Sequence, residues 1–182
     1  EAVTTGGQRI TAEHLVMATG YESVRYLDEP GIQLHSTYAV ASQRSNIAEP
    51  WYRNALIWET AIPYLYLRTT PDGRTMIGGL DDPFRDPQLR DKRLDRKTDK
   101  LSRAFHKLFP HLPFVPEYRW CGTFGGTVDG LPFLDREPKH GAWFVLGMSG
   151  NGITFSHVGA QIVRDHILGV HNPDAELFRF GR

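Results

Sequence analysis

The stretch WFVLGMSGNGITFSHVGAQIVRDHILG, residues 143–169, constrains the fold more than any other part of the chain. The apolar run 142–148 has the length and content of a buried strand. Gly147, Gly150 and Gly152 then surround Ser149 and Asn151. From Ile153 to Leu168 the pattern is helical, and Gly169 follows as the residue type that closes a helix C-terminus. Strand, glycine turn and helix in direct succession make one α/β piece. Asn151 or Ser149 is expected to cap the helix. The first helical turn has N–H groups without intrahelical partners and a partial positive charge, so it favours an electron-rich ligand edge.

Three readings of this turn stand side by side. The glycines can serve packing alone. GMSGN is close to the G-x-S-x-G of a serine-hydrolase elbow, with Ser149 as nucleophile. There, however, Asn151 stands where Gly belongs, and the downstream acids and histidines (His157, Asp165, His166, His171, Asp174) crowd the same helix or the tail. The third reading is a cofactor loop.

Elsewhere the chain is strand-rich. Residues 1–20 read as strand, Gly-Gly turn, strand and a further apolar strand ending in Ala18-Thr19-Gly20. Residues 21–35 read as a turn-rich linker. Strands are expected over 36–42, 55–60, 64–70 and 74–80, the last two joined by the Pro71-Asp72-Gly73 turn. Residues 81–87 read as loop, with Asp81-Asp82 as a turn. Leu94 to Phe109 reads as a helix with Leu94, Leu101, Phe105 and Leu108 near one face and Lys and Arg on the other, stopped by Pro110. A strand over 117–127 follows, then an Asp129-Gly130 turn.

Bulk properties exclude several classes of function. Lys plus Arg (21) equals Asp plus Glu (21), so no net charge favours nucleic acid or an anionic membrane. No apolar run reaches the length of a membrane span, and no signal peptide is seen. The one cysteine, Cys121, leaves no internal disulfide and fits a reducing, cytoplasmic compartment. The eight histidines show no metal pattern: His106/His111 and His166/His171 straddle helix ends at a spacing that does not suit shared ligation. The chain opens on Glu1 in mid-pattern, as the tail of a domain would, so it reads as a piece of a longer protein.

Three motifs in order carry a resemblance: Ala18-Thr19-Gly20, then Asp129-Gly130-x-Pro132, then Gly150-x-Gly152-Ile153-Thr154-x-Ser156. With a strand-rich insert between the first two, the chain resembles the D-amino-acid oxidase-like family of FAD-dependent oxidoreductases, which includes glycine oxidase, sarcosine oxidase and amino-acid dehydrogenases. The resemblance implies an α+β chain, in which an antiparallel substrate lobe with a helix is flanked by pieces of an α/β FAD-binding lobe. Residues 1–28 and 131–182 would belong to the FAD lobe and 36–127 to the substrate lobe. The dinucleotide fingerprint G-x-G-x-x-G is absent, so the chain looks like the C-terminal part of the enzyme.

The resemblance also implies roles. Ala18, Thr19 and Gly20 sit where a strand end meets FAD, small enough for close backbone approach. Gly150, Asn151, Gly152, Ile153 and Thr154 form the loop whose N–H groups face the flavin edge, where negative charge develops on hydride transfer from the carbon beside an amine. The substrate is then a small amine or amino acid, and electrons pass to oxygen or another acceptor. The oligomeric state is left open. Glycine oxidase-like members carry an arginine where this chain has Phe124 or Gly125. Sarcosine oxidase-like members carry lysines where it has Thr154 and, nearby, Met76. These departures weaken a simple amino-acid substrate and an oxidase relative to a dehydrogenase. Arg68, Arg74 or Arg119 can replace the missing charge. Tyr64, Tyr66 and Arg119 are the catalytic candidates, and Trp58, Trp120 and Phe124 are further aromatic residues of the substrate lobe. Cys121 is expected to be a buried apolar thiol, with covalent flavin attachment as the alternative. Against the flavoenzyme stand a non-catalytic fragment or binding module without cofactor and, more remotely, the Ser149 hydrolase.

Overall fold

The computed structural model describes residues 1–28, 31–139 and 141–182. In chain order the strands and helices are β1 (Ala2–Val3), β2 (Arg9–Ile10), β3 (Val16–Met17), β4 (Ile32–Ser42), β5 (Ile57–Trp58), β6 (Leu65–Thr69), β7 (Thr75–Asp82), α1 (Pro87–Lys92), α2 (Leu94–Leu108), β8 (Pro116–Thr127), β9 (Phe133–Arg136), β10 (Trp143–Leu146) and α3 (Gly152–Ile167). Short 3-10 helices cover Gly20–Tyr26, Tyr52–Asn54 and Pro173–Phe178. The α+β class expected from the sequence is the class observed. Contacts divide the chain into two compact units, Glu1–Gln33 with Phe124–Arg182, and Leu34–Thr123. Among the described residues no helix is long and apolar enough to cross a membrane.

The Leu34–Thr123 unit is built on a sheet of order β5-β6-β7-β4-β8. Alternation sends Tyr38 and Val40 of β4, Leu67 of β6 and Ile77 of β7 to one face, where they meet Leu101 and Phe105 of α2. Phe105 is fully buried and stacks on Phe114 at 4.4 Å between ring centres. Two of the four apolar residues expected on the buried face of α2 are fully covered, Leu101 and Phe105, whereas Leu108 is half exposed. Phe109, just past the helix, packs instead, 5.2 Å from Trp51 and 5.5 Å from Phe105. Lys97 breaks the expected polar face of α2 in the other direction. It is buried, its ammonium 2.9 Å from Asp82 and bonded to the Leu80 carbonyl.

Several local expectations change. Residues 20–26 form a 3-10 helix and β4 begins at Ile32, so the expected linker is largely ordered structure. The strand expected over 55–60 is reduced to Ile57–Trp58. Asp81 and Asp82 are not a turn; they end β7, because Ser36 of β4 pairs with Asp82. α1 went unseen in the sequence. Asp86 starts it by accepting the Leu89 N–H at 2.9 Å, with Pro87 in the first turn, where its missing donor costs nothing.

In the other unit β1 and β2 form a small antiparallel hairpin. A second sheet runs β3-β10-β9, with β10 parallel to β3 and antiparallel to β9. β10 is apolar at every position because both of its faces are covered. Trp143 and Val145 pack with Ile162, Val163 and Phe178, while Phe144 and Leu146 pack with Met17, Val24 and Phe180.

Candidate functional site

The parallel register of β3 and β10 sets one end of the smaller sheet. Trp143 lies beside Val16 and Phe144 beside Met17, so both strands finish on the same side. Ala18-Thr19-Gly20 and the turn from Gly147 to Gly152 therefore emerge next to each other, at the carboxyl ends of parallel strands, where α/β sheets bind their ligands. Gly20 turns the chain at φ +65° into the 3-10 helix, and the Thr19 and Ser23 hydroxyls bond at 2.8 Å. A groove of about 600 Å³ runs along these elements, lined by Val16, Ala18, Val145, Met148, Ser156 and Gly159 among others.

The glycine turn is held from below. Gly147 has φ +78°, and a methyl group there would stand 2.6 Å from Ile32 Cδ1 and 3.0 Å from Thr127 Cγ2, so only glycine fits. Met148 bridges to Gly126, and the Ser149 N–H donates to the Gly125 carbonyl at 3.0 Å. Ser149 takes the left-handed conformation, φ +49°, which a residue with a side chain adopts at a cost. The Asn151 N–H donates to the Met148 carbonyl at 3.1 Å. Asn151 is the residue preceding α3, yet its side chain makes no capping hydrogen bond. The cap expected from Asn151 or Ser149 is thus not made. The first N–H that the helix satisfies is that of Phe155, donating to the Asn151 carbonyl at 3.0 Å. The amides of Gly152, Ile153 and Thr154 point out of the helix start, and the space where a Gly152 side chain would stand is open. His157, the nearest histidine along α3, contacts Gln161 at 3.2 Å.

Asp129-Gly130-x-Pro132 is a side-chain-stabilised turn: Asp129 accepts the Leu131 N–H at 3.1 Å. Arg182 grips the same carboxylate with two prongs, at 2.7 and 3.1 Å, and holds it well below the usual carboxylate range.

In the Leu34–Thr123 unit the catalytic candidates separate. Tyr66 lies in β6 with Tyr64 just ahead of the strand, their ring centres 6.2 Å apart. Trp58 on β5 meets Tyr64 edge-on at 6.2 Å. Arg119 is on β8, where Asp95 of α2 holds it at 2.6 Å. Its guanidinium is on the helix-covered side of the sheet, away from the two tyrosines. Cys121 points the same way and is half-buried rather than fully buried, its thiol donating to Asp91 of α1 at 3.3 Å. Burial and the neighbouring Asp91 carboxylate push the thiol up, against the thiolate. Arg74 is taken up by Asp72 and Glu117. Arg68 turns back on the Thr69 carbonyl.

A strand end and a helix start converge on small residues at the carboxyl ends of parallel strands, a place where α/β sheets hold cofactors, and comparison with known proteins gives the family. The chain belongs to the DAO family of FAD dependent oxidoreductases, which matches residues 1–166. Its fold is that of glycine oxidase from Geobacillus kaustophilus (TM-score 0.71, 20% identity, 98% of this chain and 47% of that one). It is equally similar to L-proline dehydrogenase from P. horikoshii (0.73, 19%, 91% and 46%) and to iminodiacetate oxidase from Chelativorans sp. BNC1 (0.74, 15%, 97% and 48%). The chain spans about half the length of these structures. No curated protein sequence matches it.

Proposed function

We propose that this chain is the C-terminal part of an FAD-dependent oxidoreductase that oxidises a C–N bond of a small amine or amino acid. In this reading Glu1–Gln33 and Phe124–Arg182 belong to the cofactor lobe, and Leu34–Thr123 to the substrate lobe. The observation that carries it is the cluster of three outward amides, Gly152, Ile153 and Thr154, at the carboxyl ends of parallel β3 and β10.

The residues present fit a flavin. Ala18 and Gly20 keep the β3 end free of bulk, Gly147 lets the backbone turn tightly, and nothing fills the space over Gly152. A bound flavin would supply the acceptor for hydride from the carbon next to the substrate nitrogen. The chain's own part is electrostatic. The three amides and the α3 dipole lower the cost of negative charge beside the helix start, as oxyanion-hole donors do. They are held in place before reaction by the Gly125–Ser149 and Met148–Asn151 bonds, so no reorganisation is needed.

The test is spectroscopic. The full-length protein containing this chain should purify yellow or take up FAD, and an amine or amino acid from a panel should bleach the flavin bands under anaerobic conditions. Peroxide release in air then separates oxygen from another acceptor. A correctly folded full-length protein that takes no FAD refutes the proposal and leaves the binding-module alternative.

A further inference from the structure

The face of the Leu34–Thr123 sheet turned away from α2 holds a constellation that the flavin-edge loop does not explain. Cross-strand pairing puts Trp58, Tyr66, Gly78 and Ala39 on that face, since Trp58 opposes Tyr66, Tyr66 opposes Gly78 and Gly78 opposes Ala39. Tyr66 lies flat on Gly78: a methyl group there would fall 2.3 Å from its hydroxyl. Strict alternation from Gly78 would send Asp81 to the opposite face. It does not, because β7 carries an extra residue. Tyr38 pairs with Gly79 but Ser36 with Asp82, so two steps along β4 span three along β7. The irregularity sits at Gly79 and Leu80, with φ +125° and +56°, the second being a strained value for leucine. It turns Asp82 to the α2 side, where Tyr38, Arg93 and Lys97 bond it, and turns Asp81 to the tyrosine side.

There Asp81 is poorly served. Its Oδ1 is buried with no hydrogen-bond partner. Burial pushes its carboxyl up, while Thr37, His35 and Lys97 pull the other way. The Tyr64 and Tyr66 phenols are pushed up by burial and then by the Asp81 charge. A carboxylate short of a partner beside a row of aromatic rings is the chemistry that recognises a cation, by charge and by attraction to the ring faces. Arg68 shares the face but lies two residues towards the other end of β6, folded onto Thr69. The bulge gives Asp82 its donors on the α2 side and at the same time re-aims Asp81 towards that row, as bulges beside ligand sites do.

We propose that this face binds a protonated amine, with Asp81 taking the ammonium and Tyr64, Tyr66 and Trp58 walling it. The identity of the natural occupant as substrate rests on the amine oxidoreductase reading above; the cation site itself does not. The experiment is calorimetric titration of the full-length protein with benzyltrimethylammonium and, as the anionic counterpart, benzoate. The cation should bind saturably and at least tenfold more tightly than benzoate. Asp81→Asn should weaken it at least tenfold and Tyr64→Ala at least threefold, each with an unchanged circular dichroism spectrum. Asp81→Asn removes a charge whose buried oxygen has no partner, so the fold should survive; if it does not, the Tyr64→Ala titration and the benzoate comparison decide. Absence of saturable cation binding, equal binding of benzoate, or unaltered affinity in a folded variant overturns the inference. Flavin absorbance of the same preparation is read separately. Asp81-independent binding in a yellow protein bleached by an amine sinks this inference alone. Asp81-dependent binding in a protein that takes no FAD sinks the oxidoreductase reading alone.

Discussion

Replacing Asp82 by Asn should destabilise the Leu34–Thr123 unit by about 3 kcal/mol near neutral pH. Asp82 accepts from Lys97 at 2.9 Å, from Arg93 at 3.0 Å and from the Tyr38 hydroxyl at 3.0 Å. The Lys97 side chain is only 7% exposed, and its ammonium also lies 4.7 Å from the Tyr38 ring centre. At about 3 Å and an effective dielectric of about 20, one such pair has a gross attraction of roughly 5 kcal/mol, most of which offsets desolvation. Asparagine keeps the shape but removes the charge, leaving Lys97 buried and uncompensated, a loss of about 3–5 kcal/mol. The lower end applies because Asp82 and Arg93 keep some water contact. The assay is urea unfolding followed by circular dichroism, in wild type, Asp82→Asn, Lys97→Met and the double variant. The double variant should recover most of the loss, since it no longer holds a buried ammonium without its carboxylate. The pH dependence has a definite sign. The three donors hold Asp82 below its ordinary value against the opposing effect of burial. Its contribution is therefore complete above the unfolded carboxylate pKa, about 4, and is lost as pH falls through the lower folded value. The gap between wild type and Asp82→Asn should narrow below about pH 4. A gap under about 1 kcal/mol, or one that does not change with pH, refutes the argument from a desolvated network.

Three other outcomes follow from the geometry. Phe105→Ala empties a fully buried position stacked on Phe114 and should cost about 3–5 kcal/mol in the same unfolding assay. Arg182→Ala removes the two-pronged contact on Asp129, so the Asp129 carboxyl, followed by NMR, should titrate higher, towards the ordinary range. Ile153→Pro deletes one outward amide of α3 at a 92% exposed residue in the first helical turn, where proline is tolerated. In the full-length flavoprotein it should leave the melting temperature nearly unchanged and slow flavin reduction by amine at least tenfold, since one such donor is worth about 10²–10³ in rate; an unchanged rate removes these amides from the proposed mechanism.

Much of the small sheet was legible because its signals are local. The apolar run 142–148, the glycines after it and the helical period of 153–168 each speak within a few residues; β10 lies inside the first, and α3 is offset from the last by one residue at each end. The joint emergence of Ala18-Thr19-Gly20 and Gly147–Gly152 was legible only through motif order, since it depends on parallel pairing between residues more than 120 apart in sequence. Side-chain capping by Asn151 was a sound local expectation that the fold overrides. The turn is instead fixed by backbone bonds to Gly125 and Met148, which no pattern around Asn151 reveals.

The pair Asp81-Asp82 shows why the rest was hidden. Two acids before a proline carry turn chemistry, and the local reading makes them a loop. Tertiary pairing wins because Ser36 and Tyr38 present a strand edge that β7 completes as far as Asp82. The facing of each acid is then decided by one extra residue at Leu80, and a shift of one residue exchanges the two faces. Asp82, turned to α2, finds three donors and becomes structural. Asp81, turned to the tyrosines, is left with an unbonded oxygen. Neighbouring residues of identical chemistry thus divide into a stabilising network and a candidate ligand contact. A one-residue deletion at Leu80 should therefore leave both facings as they are, since Asp81 then follows Gly79 directly and Asp82 still opposes Ser36, whereas regular alternation that kept Leu80 would exchange them and set Asp81 against Lys97.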